Sequence, residues 1–259
     1  SASAMLSNDQ VSQFHDEGYV LIYRVLAAED VALLIDALET IERTDEPGSG
    51  GYGWAGNRVT TIHTIPLQPG PLSRVVSYGP IVRIVEQLVG APVRVTGGLL
   101  MDKDPNHNWG IGWHQDNGIY VDRIPHGEPN DVRGGLPVLS TKAMELARNV
   151  TCRLAIDPST PENGGLYVLP RSHRTNLHGP DKPFDRFAGE RGIAVRQAPG
   201  SLLCYAPLLL HRSEKSESPT SRRRVLHLQY GPADLALPGT NCYNFPQPVP
   251  LQACDTLRT

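Results

Sequence analysis

Residues 113–120 of the chain read WHQDNGIY, and this stretch indicates how the fold is built. It continues an apolar segment that begins at Gly110-Ile111-Gly112, and the pattern predicts an extended strand. On a strand, residues i and i+2 point to the same face, so the side chains of His114 and Asp116 are expected to lie together. With one more histidine they would complete a 2-His-1-carboxylate triad, which holds Fe(II) on one side and leaves the other positions open.

The candidate for the missing ligand is His211. Residues 201–213 read SLLCYAPLLLHRS, and we predict an apolar strand, starting after Gly200, that carries His211 at its end. A single histidine taken alone is more often a structural residue than a ligand. Ser213 and the basic cluster at residues 222–224 favour the ligand role, because an arginine can pair bidentately with a carboxylate beside a metal. Strand alternation places at least one of these three arginines on the inner face.

Length, charge and cysteine content exclude several classes of protein. A chain of 259 residues can bury a full core, and 24 basic against 27 acidic residues give no electrostatic reason to expect nucleic acid or an anionic membrane as a partner. No apolar run approaches the roughly 18 residues of a membrane span. Four cysteines without a C-x-x-C pair predict free thiols in a reducing cytoplasm. Residues 1–4, SASA, resemble an expression remnant.

Local patterns predict helices first and short strands later. A capping box at Ser7–Gln10 predicts a helix that ends near Gly18, and Ala28 begins an amphipathic helix. Five glycines in residues 47–56 predict a loop, and residues 125–149 predict a long excursion with a short helix at 141–148. Further helices are predicted within 71–90. Strands are predicted at 19–23, 58–65, 93–101, 111–116, 150–156, 166–169, 193–196, 201–205 and 223–230.

This order of elements predicts a mainly β protein with flanking α-helices and a double-stranded β-helix core, which is a jelly roll of the cupin type. We predict one domain over residues 1–259. Its helical part, about 7–90, would pack on the β core, about 91–232, and a tail would follow at 233–259. The apolar positions 150, 152, 154 and 156 alternate with polar ones, as in a half-buried strand.

Four blocks of the sequence resemble the phytanoyl-CoA dioxygenase family of Fe(II)- and 2-oxoglutarate-dependent oxygenases. They are WHQD at 113–116, PENGGLYVLPRSH at 161–173, H-x-S at 211–213 and SPTSRRRVLHLQY at 218–230. Residues 14–26, FHDEGYVLIYRVL, and 100–105, LMDKDP, are also similar to the family. The resemblance covers most of the chain, and four blocks in this order are far more specific than an H-x-D motif alone.

The resemblance implies that His114, Asp116 and His211 bind Fe(II). It also implies 2-oxoglutarate and O2 as co-substrates, with succinate and carbon dioxide released while a C–H bond of a small molecule is oxidised. Lys103 and Ser213 would be additional contacts to 2-oxoglutarate.

Two arginines compete for the distal carboxylate of 2-oxoglutarate. The spacing from His211 and the Ser218-Pro219-x-x-Arg pattern favour Arg222, whereas the register of the strand that ends at Tyr230 favours Arg223. The two side chains lie on opposite faces of a strand, so only one can fill this role. We take Arg222 as the preferred candidate.

Departures from the family pattern refine these expectations. Arg171 stands where the family often has a turn glycine, which predicts a different local backbone, and Arg212 replaces a glycine and places another cation near the site. Asp116 is present, whereas halogenase relatives have a small residue there. The chain is therefore expected to hydroxylate or otherwise oxidise its substrate, and its features favour bacterial secondary metabolism.

Substrate contacts are expected from residues 52–57 and 125–149 at the mouth of the barrel. Candidate apolar walls are Trp54, Trp109 and Tyr120, and candidate contacts to an acidic substrate are Arg58, Arg133, Arg153 and Arg171. Two other hypotheses remain: a cupin-type metal dioxygenase or isomerase that needs no 2-oxoglutarate, and a jelly-roll binding module without catalysis. The oligomeric state is not predicted.

Overall fold

The strands of this protein form three antiparallel sheets within the part of the chain that the computed structural model describes, residues 5–141, 143–174, 186–246 and 255–258. The strands are β1 (Tyr19–Ile22), β2 (Gly53–Ala55), β3 (Arg58–Ile62), β4 (Val93–Lys103), β5 (Ile111–His114), β6 (Gly118–Tyr120), β7 (Asp131–Arg133), β8 (Leu136–Ser140), β9 (Val150–Ala155), β10 (Leu166–Val168), β11 (Ile193–Ala194), β12 (Leu202–Tyr205), β13 (His211–Ser213) and β14 (Arg223–Pro232). The α-helices are α1 (Asn8–Glu17), α2 (Ala28–Thr44), α3 (Pro71–Arg74), α4 (Gly79–Val89) and α5 (Ala143–Leu146). Single 3-10 turns lie at Ile65–Leu67, Val75–Ser77, Pro161–Asn163 and Ser172–Arg174.

The large sheet has seven strands in the order β1-β12-β9-β14-β4-β3-β2, and a small sheet has the order β11-β10-β13-β5. The small sheet covers one face of the large one, since Leu166 and Val168 of β10 pack against Leu203 and Tyr205 of β12. A third sheet, β6-β8-β7, closes one side. Two facing antiparallel sheets of this kind form a jelly roll, so the predicted fold class is confirmed.

Side-chain alternation gives the large sheet two different faces. β14 pairs with β4 so that Arg223 lies opposite Lys103 and His227 lies opposite Leu99. β9 lies on the other side of β14, with Arg153 opposite His227. Because opposed residues and residues two apart share a face, these side chains all project toward the small sheet. This inner face carries Arg153, Arg223 and His227, which line a cavity between the sheets.

The opposite face of the large sheet is apolar and carries the helices. Leu34 of α2 and Ile84 of α4 belong to one buried cluster with Leu100, Leu154 and Leu226 of three neighbouring strands. α4 also contacts β4, β9 and β14 directly. Burial of these side chains contributes about 1.5–3 kcal/mol each, so the helices hold the central strands in place from behind.

The helix predictions are confirmed at both ends of α1 and at the start of α2. Ser7 caps α1 with a complete capping box, and Gly18 ends it in the left-handed conformation with φ 90°. α2 begins at Ala28 and buries Val31, Leu34 and Leu38. Its three buried positions follow the spacing of a helix that covers a core with one face.

Several predictions about strands and loops were wrong, either in the burial of the strand or in where strands begin and end. The glycine-rich segment 47–56 contains β2, which forms a hairpin with β3. All six residues of β9 are buried, because helices cover one face and the small sheet the other. The excursion at 125–149 contains the β7–β8 hairpin in addition to α5. Residues 201–213 form two strands in different sheets, so a turn separates β12 from β13.

Among the described residues, no helix has the length and apolar character needed to cross a lipid bilayer.

Candidate metal centre and cofactor cavity

Three side chains converge at one end of the space between the two sheets. One donor atom from each of His114, Asp116 and His211 lies within 4.8 Å of the other two. The Nε2 atom of His114 is 3.8 Å from Asp116 Oδ1, and that of His211 is 3.5 Å from Asp116 Oδ2. This is the ligand set of a 2-His-1-carboxylate site.

Strand pairing brings the two histidines together although they lie 97 positions apart in the sequence. β5 and β13 are antiparallel neighbours, and His114 lies directly opposite His211. Side chains opposed in this way project side by side from the same face. Their ring centroids are 4.1 Å apart.

Asp116 is positioned by a turn and not by the strand that we predicted. β5 ends at His114, and the backbone N–H of Asp116 donates to the carbonyl of Pro207 at 2.9 Å. Gln115 donates its side-chain amide to the carbonyl of Leu208 at 2.6 Å. The segment after β5 is thereby attached to the turn that precedes β13, which fixes all three candidate ligands relative to one another.

The hydrogen bonds of the two imidazoles leave their Nε2 atoms available to a metal. His114 Nδ1 is 2.9 Å from the carbonyl oxygen of Gly112, and His211 Nδ1 is 2.8 Å from that of Leu209. A proton on Nδ1 satisfies these contacts and leaves a lone pair on Nε2. Metal-binding histidines are typically oriented by such a bond from the second ring nitrogen.

The protonation states also suit a metal. Burial, and then the neighbouring His211, lower the pKa of His114 to about 4, so its ring is neutral at pH 7. Burial would raise the pKa of Asp116, but the two histidines hold it well below its usual range. Burial lowers the pKa of His211 while Asp116 raises it, with a net increase. In the metal-free protein a proton lies between His211 and Asp116, and a divalent cation would displace it.

A cavity of about 200 Å³ extends from these ligands into the space between the sheets. Apolar side chains form much of its wall: Leu99, Met101, Trp109, Ile111 and Leu166. The polar groups beyond the three candidate ligands are Arg153, Ser213, Arg223 and His227. A much larger groove, about 970 Å³, lies beside α2, and none of the candidate ligands lines it.

The structure places Arg223, and not the preferred Arg222, in this cavity. Arg222 projects from the outer face, where it donates to Asp102 at 2.7 Å and to Glu42 at 2.5 Å. Arg223 is 4% exposed, has no ion pair among the described residues, and its Nε has no hydrogen-bond partner there. Our preference for Arg222 therefore does not agree with the geometry, because strand alternation directs it away from the site.

Of the two additional candidates, Ser213 lines the cavity, whereas Lys103 is fully buried beside Ser213 and Arg223 and is not part of the cavity wall. Lys103 is opposite Arg223 across the β4–β14 pair, and its Nζ donates to the carbonyl of Glu214 at 2.7 Å. The Nζ atom is 3.5 Å from Ser213 Oγ and lies over the ring of Trp109. Burial, followed by Arg223 and Arg153, lowers the pKa of Lys103 to about 7.

Arg153 is the one of the four suggested acid-binding arginines that lines the cavity. Arg58 pairs with Asp104, Arg133 with Asp131, and Arg171 with Glu17. His227 is a wall residue that we did not predict as part of the site. It lies four positions after Arg223 on the same face of β14, so alternation along that strand could have identified it.

The three aromatic wall candidates and the two arginines that replace family glycines differ in whether they line the cavity. Trp109 lines the cavity, whereas Trp54 and Tyr120 pack in or against the large core cluster. Arg171 has a left-handed backbone with φ 68°, a conformation that glycine adopts without strain, and the expected difference from the family's local backbone stays a prediction. Arg212 stacks over Tyr167 and does not line the cavity.

The sequence profile described as Phytanoyl-CoA dioxygenase (PhyH) matches residues 14–224, which is more than half of the chain. The chain is 36% identical over 118 residues to a methylphosphonate hydroxylase of Gimesia maris, which is 43% of this chain and 44% of that protein. The chain therefore spans less than half of that relative. It is 25% identical to the L-proline trans-4-hydroxylase of Streptomyces griseoviridis over 89% of this chain and 88% of the relative.

The fold is similar to that of a solved enzyme structure. The apo form of EctD from S. alaskensis has a TM-score of 0.72 and 20% identity, covering 97% of this chain and 88% of that one. At this level of identity the likeness concerns the fold.

Proposed function

The chain belongs to the phytanoyl-CoA dioxygenase family of Fe(II)- and 2-oxoglutarate-dependent oxygenases, and we propose that it hydroxylates an unactivated C–H bond of a small molecule. The observation that carries this proposal is the convergence of His114, Asp116 and His211 beside the buried Arg223, for which the described residues provide no ion-pair partner. Iron and a dicarboxylate both fit such a site: the first needs the three donor atoms, and the second needs a fixed cation a short distance away.

Each group in the cavity has a distinct role in the proposal. His114, Asp116 and His211 would hold the iron, and Arg223, with Ser213 and Lys103, would hold the distal carboxylate of 2-oxoglutarate. When bound, the iron would supply the oxidant for the C–H bond from O2 and 2-oxoglutarate: one oxygen atom of O2 ends in succinate, with loss of carbon dioxide, and the other ends in the hydroxylated product. Asp116 and the neutral form of His114 provide the ligand protonation states that this requires.

The apolar wall supports oxidation of a hydrocarbon position. Leu99, Met101 and Trp109 make part of the cavity wall apolar, which would help to keep water away from the reacting atoms. We propose one catalytic domain, since the helices and the strands share one core cluster. The described cysteines are free thiols, which suits a reducing compartment such as the cytoplasm.

The substrate is proposed only as a class. Two relatives are named as hydroxylases of methylphosphonate and of L-proline, which supports a small polar molecule with an oxidisable carbon. A role in secondary metabolism is part of the proposal and is supported by a fold neighbour described as the carbocyclase SnoK from nogalamycin biosynthesis, with a TM-score of 0.68.

An anaerobic titration tests the cofactor assignment. Metal-free protein is mixed with Fe(II) and then with 2-oxoglutarate, and the weak visible charge-transfer band of a chelated keto acid is followed. We expect the band in the native protein and its loss in His211→Ala and Asp116→Ala, with at least 100-fold less succinate formation, because two protein ligands hold iron poorly. Succinate release from metabolite pools then identifies the substrate.

The exposed His126 provides the matched control, since His126→Ala removes an imidazole outside the cavity. It should retain the band. Iron binding without any band in the native protein would contradict the 2-oxoglutarate proposal and favour the cupin-type hypothesis. Full succinate formation by His211→Ala would remove that residue from the site.

A further inference from the structure

Arg153 is a second buried guanidinium beside Arg223, and the assignment of Arg223 to 2-oxoglutarate leaves it without a role. Its side chain is 1% exposed and lines the same cavity as the three candidate metal ligands. It projects from β9, next to β14, on the inner face of the large sheet. Arginine is almost never fully buried without a charged partner.

Within the described residues, the hydrogen-bond partners of the Arg153 side chain are neutral. One Nη atom donates to the Oε1 atom of Gln197, and the other donates to Ser159 Oγ at 3.0 Å. Its Nε has no partner, and no carboxylate within the described residues forms an ion pair with it. Burial of a charge is unfavourable unless the charge is compensated, so this arrangement calls for an anion from outside the chain.

Gln197 makes Arg153 a rigid group. The side-chain amide of Gln197 donates to the carbonyl of Arg153 itself at 3.0 Å and to that of Ser201 at 3.4 Å. These two hydrogen bonds fix the position of the Gln197 side-chain oxygen, which accepts a hydrogen bond from the Arg153 guanidinium. An arginine fixed in this way loses little conformational freedom when a ligand binds to it.

Arg153 lies opposite His227 across the β9–β14 pair, and its charge lowers the pKa of Lys103 and opposes the increase in the pKa of the candidate ligand His211. After burial, Arg223 is the main group that lowers the pKa of Arg153, to about 9. Arg223 and Arg153 together lower the pKa of Lys103. Arg153 and Arg223 thus line one cavity, and with the buried Lys103 beside Arg223 they form a group of cations that disfavour one another. A carboxylate bound there would relieve their mutual repulsion.

We propose that Arg153 and Arg223 form a two-arginine clamp for the distal carboxylate of 2-oxoglutarate. This inference rests on the proposed function, because it concerns the same co-substrate. Arg153 is therefore a cofactor-binding residue and not a contact to an acidic primary substrate. Its Nε and the cavity-facing edge of its guanidinium would donate to the carboxylate, while Gln197 and Ser159 hold the other edge.

Comparison of two keto acids, 2-oxoglutarate and 2-oxopentanoate, separates the binding contribution of the distal carboxylate from that of the metal-chelating end. 2-Oxopentanoate keeps the metal-chelating keto acid of 2-oxoglutarate but has a methyl group in place of the distal carboxylate. Dissociation constants for both are measured by anaerobic calorimetry and by the visible band on Fe(II)-loaded protein. For Arg153→Gln we expect 10- to 100-fold weaker binding of 2-oxoglutarate and an unchanged affinity, within about twofold, for 2-oxopentanoate.

Three further variants control this experiment. Arg196→Gln removes an exposed arginine next to Gln197, paired only with Glu162, and should bind both keto acids normally. Arg153→Lys should recover part of the 2-oxoglutarate affinity, since it keeps the charge. Gln197→Glu gives Arg153 a permanent counter-ion and should weaken 2-oxoglutarate binding although Arg153 is still present.

The outcomes are distinguishable. Normal 2-oxoglutarate affinity in Arg153→Gln overturns the clamp, and so does an equal loss for both keto acids, which would indicate a general structural effect. Weaker binding of the primary substrate alone would assign Arg153 to that substrate. Failure of the native protein to bind 2-oxoglutarate would instead contradict the proposed function. If Arg153→Gln does not fold, Gln197→Glu and Arg153→Lys give the same comparison.

Discussion

The two faces of the large sheet contain the same kind of charged residue in opposite environments. At the start of β14, Arg222 and Arg224 project outward and bind carboxylates of the chain, namely Asp102 and Glu42 for the first and Asp157 for the second. Arg223, between them, projects inward and has no ion pair within the described residues. Neighbouring arginines in one basic cluster therefore differ in whether a carboxylate of the described residues pairs with them.

The pKa values follow the same division. Burial would lower the pKa of Arg222, but its bonds to Asp102 and Glu42 raise it above the ordinary arginine value. Burial lowers the pKa of Arg223 to about 10, and the carboxylates behind the sheet oppose this only in part. The cations of the outer face thus form ion pairs that stabilise the fold. Those of the inner face are the ones that we propose to bind a ligand.

The largest expected effect is the difference between Arg222 and Arg223 in their contribution to 2-oxoglutarate binding. Arg223→Gln should weaken 2-oxoglutarate binding about 100- to 1,000-fold, because it removes one partner of a buried charge pair. Arg222→Gln should change the dissociation constant by less than about twofold. Calorimetric titration of both iron-loaded variants measures this difference. A comparable loss in both would mean that the two faces are not functionally distinct.

A smaller effect separates the same two residues by stability. Arg222→Gln leaves Asp102, 1% exposed, without its charged partner, and should cost about 2–3 kcal/mol of unfolding free energy. The estimate lies below that for a fully buried pair because Arg222 and Glu42 are partly solvated. Arg223→Gln removes an uncompensated charge and should leave the metal-free protein equally stable or more stable.

Urea unfolding of the metal-free variants tests this second contrast at pH 7 and pH 5. Burial raises the pKa of Asp102, and Arg222 opposes this. In Arg222→Gln the folded-state pKa of Asp102 is therefore higher still, and protonation removes the buried charge. The stability deficit should shrink as the pH falls. A deficit that is larger for Arg223→Gln than for Arg222→Gln would reverse our interpretation of the two faces.

The sequence predicted the identities of the candidate ligands better than it predicted their surroundings. His114 and Asp116 follow from the i, i+2 rule even though β5 ends at His114 and a turn positions the carboxylate. His211 required only an apolar segment and a nearby basic cluster. Its place opposite His114 depends on a turn between β12 and β13 that local apolar character does not reveal.

The choice between Arg222 and Arg223 depended on contacts that are distant in sequence. Alternation establishes that the two lie on opposite faces, but it does not tell which face is the cavity. Glu42, on α2, lies 180 positions from Arg222 and is one of the carboxylates that claim it. The polar His227 shares the face of Arg223, whereas Leu226 shares that of Arg222 and packs in the apolar core. Weighing that pattern would have favoured Arg223.

Arg171 shows a limit of a different kind. Arg171 lies in the left-handed region at φ 68°, which costs a residue other than glycine about 1 kcal/mol. The side chain pairs with Glu17, and its backbone N–H donates to the Glu17 carbonyl at 2.9 Å. These contacts to the end of α1 hold the unfavourable conformation, and no local sequence rule includes them.

The smallest expected effect concerns Lys103, the cation of the inner face that can lose its charge near neutral pH. Its pKa of about 7 means that the attraction for 2-oxoglutarate is fully present below pH 7 and is lost as the pH rises above it. We expect the dissociation constant of iron-loaded protein to rise by about three- to tenfold between pH 6 and pH 9, since loss of one of several neighbouring cations weakens binding by about 1 kcal/mol. Bound dicarboxylate will shift the midpoint upward.

Two variants determine whether Lys103 causes this pH dependence. Lys103→Gln should bind 2-oxoglutarate with a nearly constant affinity from pH 6 to pH 9, at the weaker level of the native protein. Arg153→Gln should keep the dependence but shift it to higher pH, because Arg153 lowers the pKa of Lys103. His114, with a pKa of about 4, stays neutral throughout this range. A slope that persists in Lys103→Gln would assign the titration to another group and remove Lys103 from the set of inner cations.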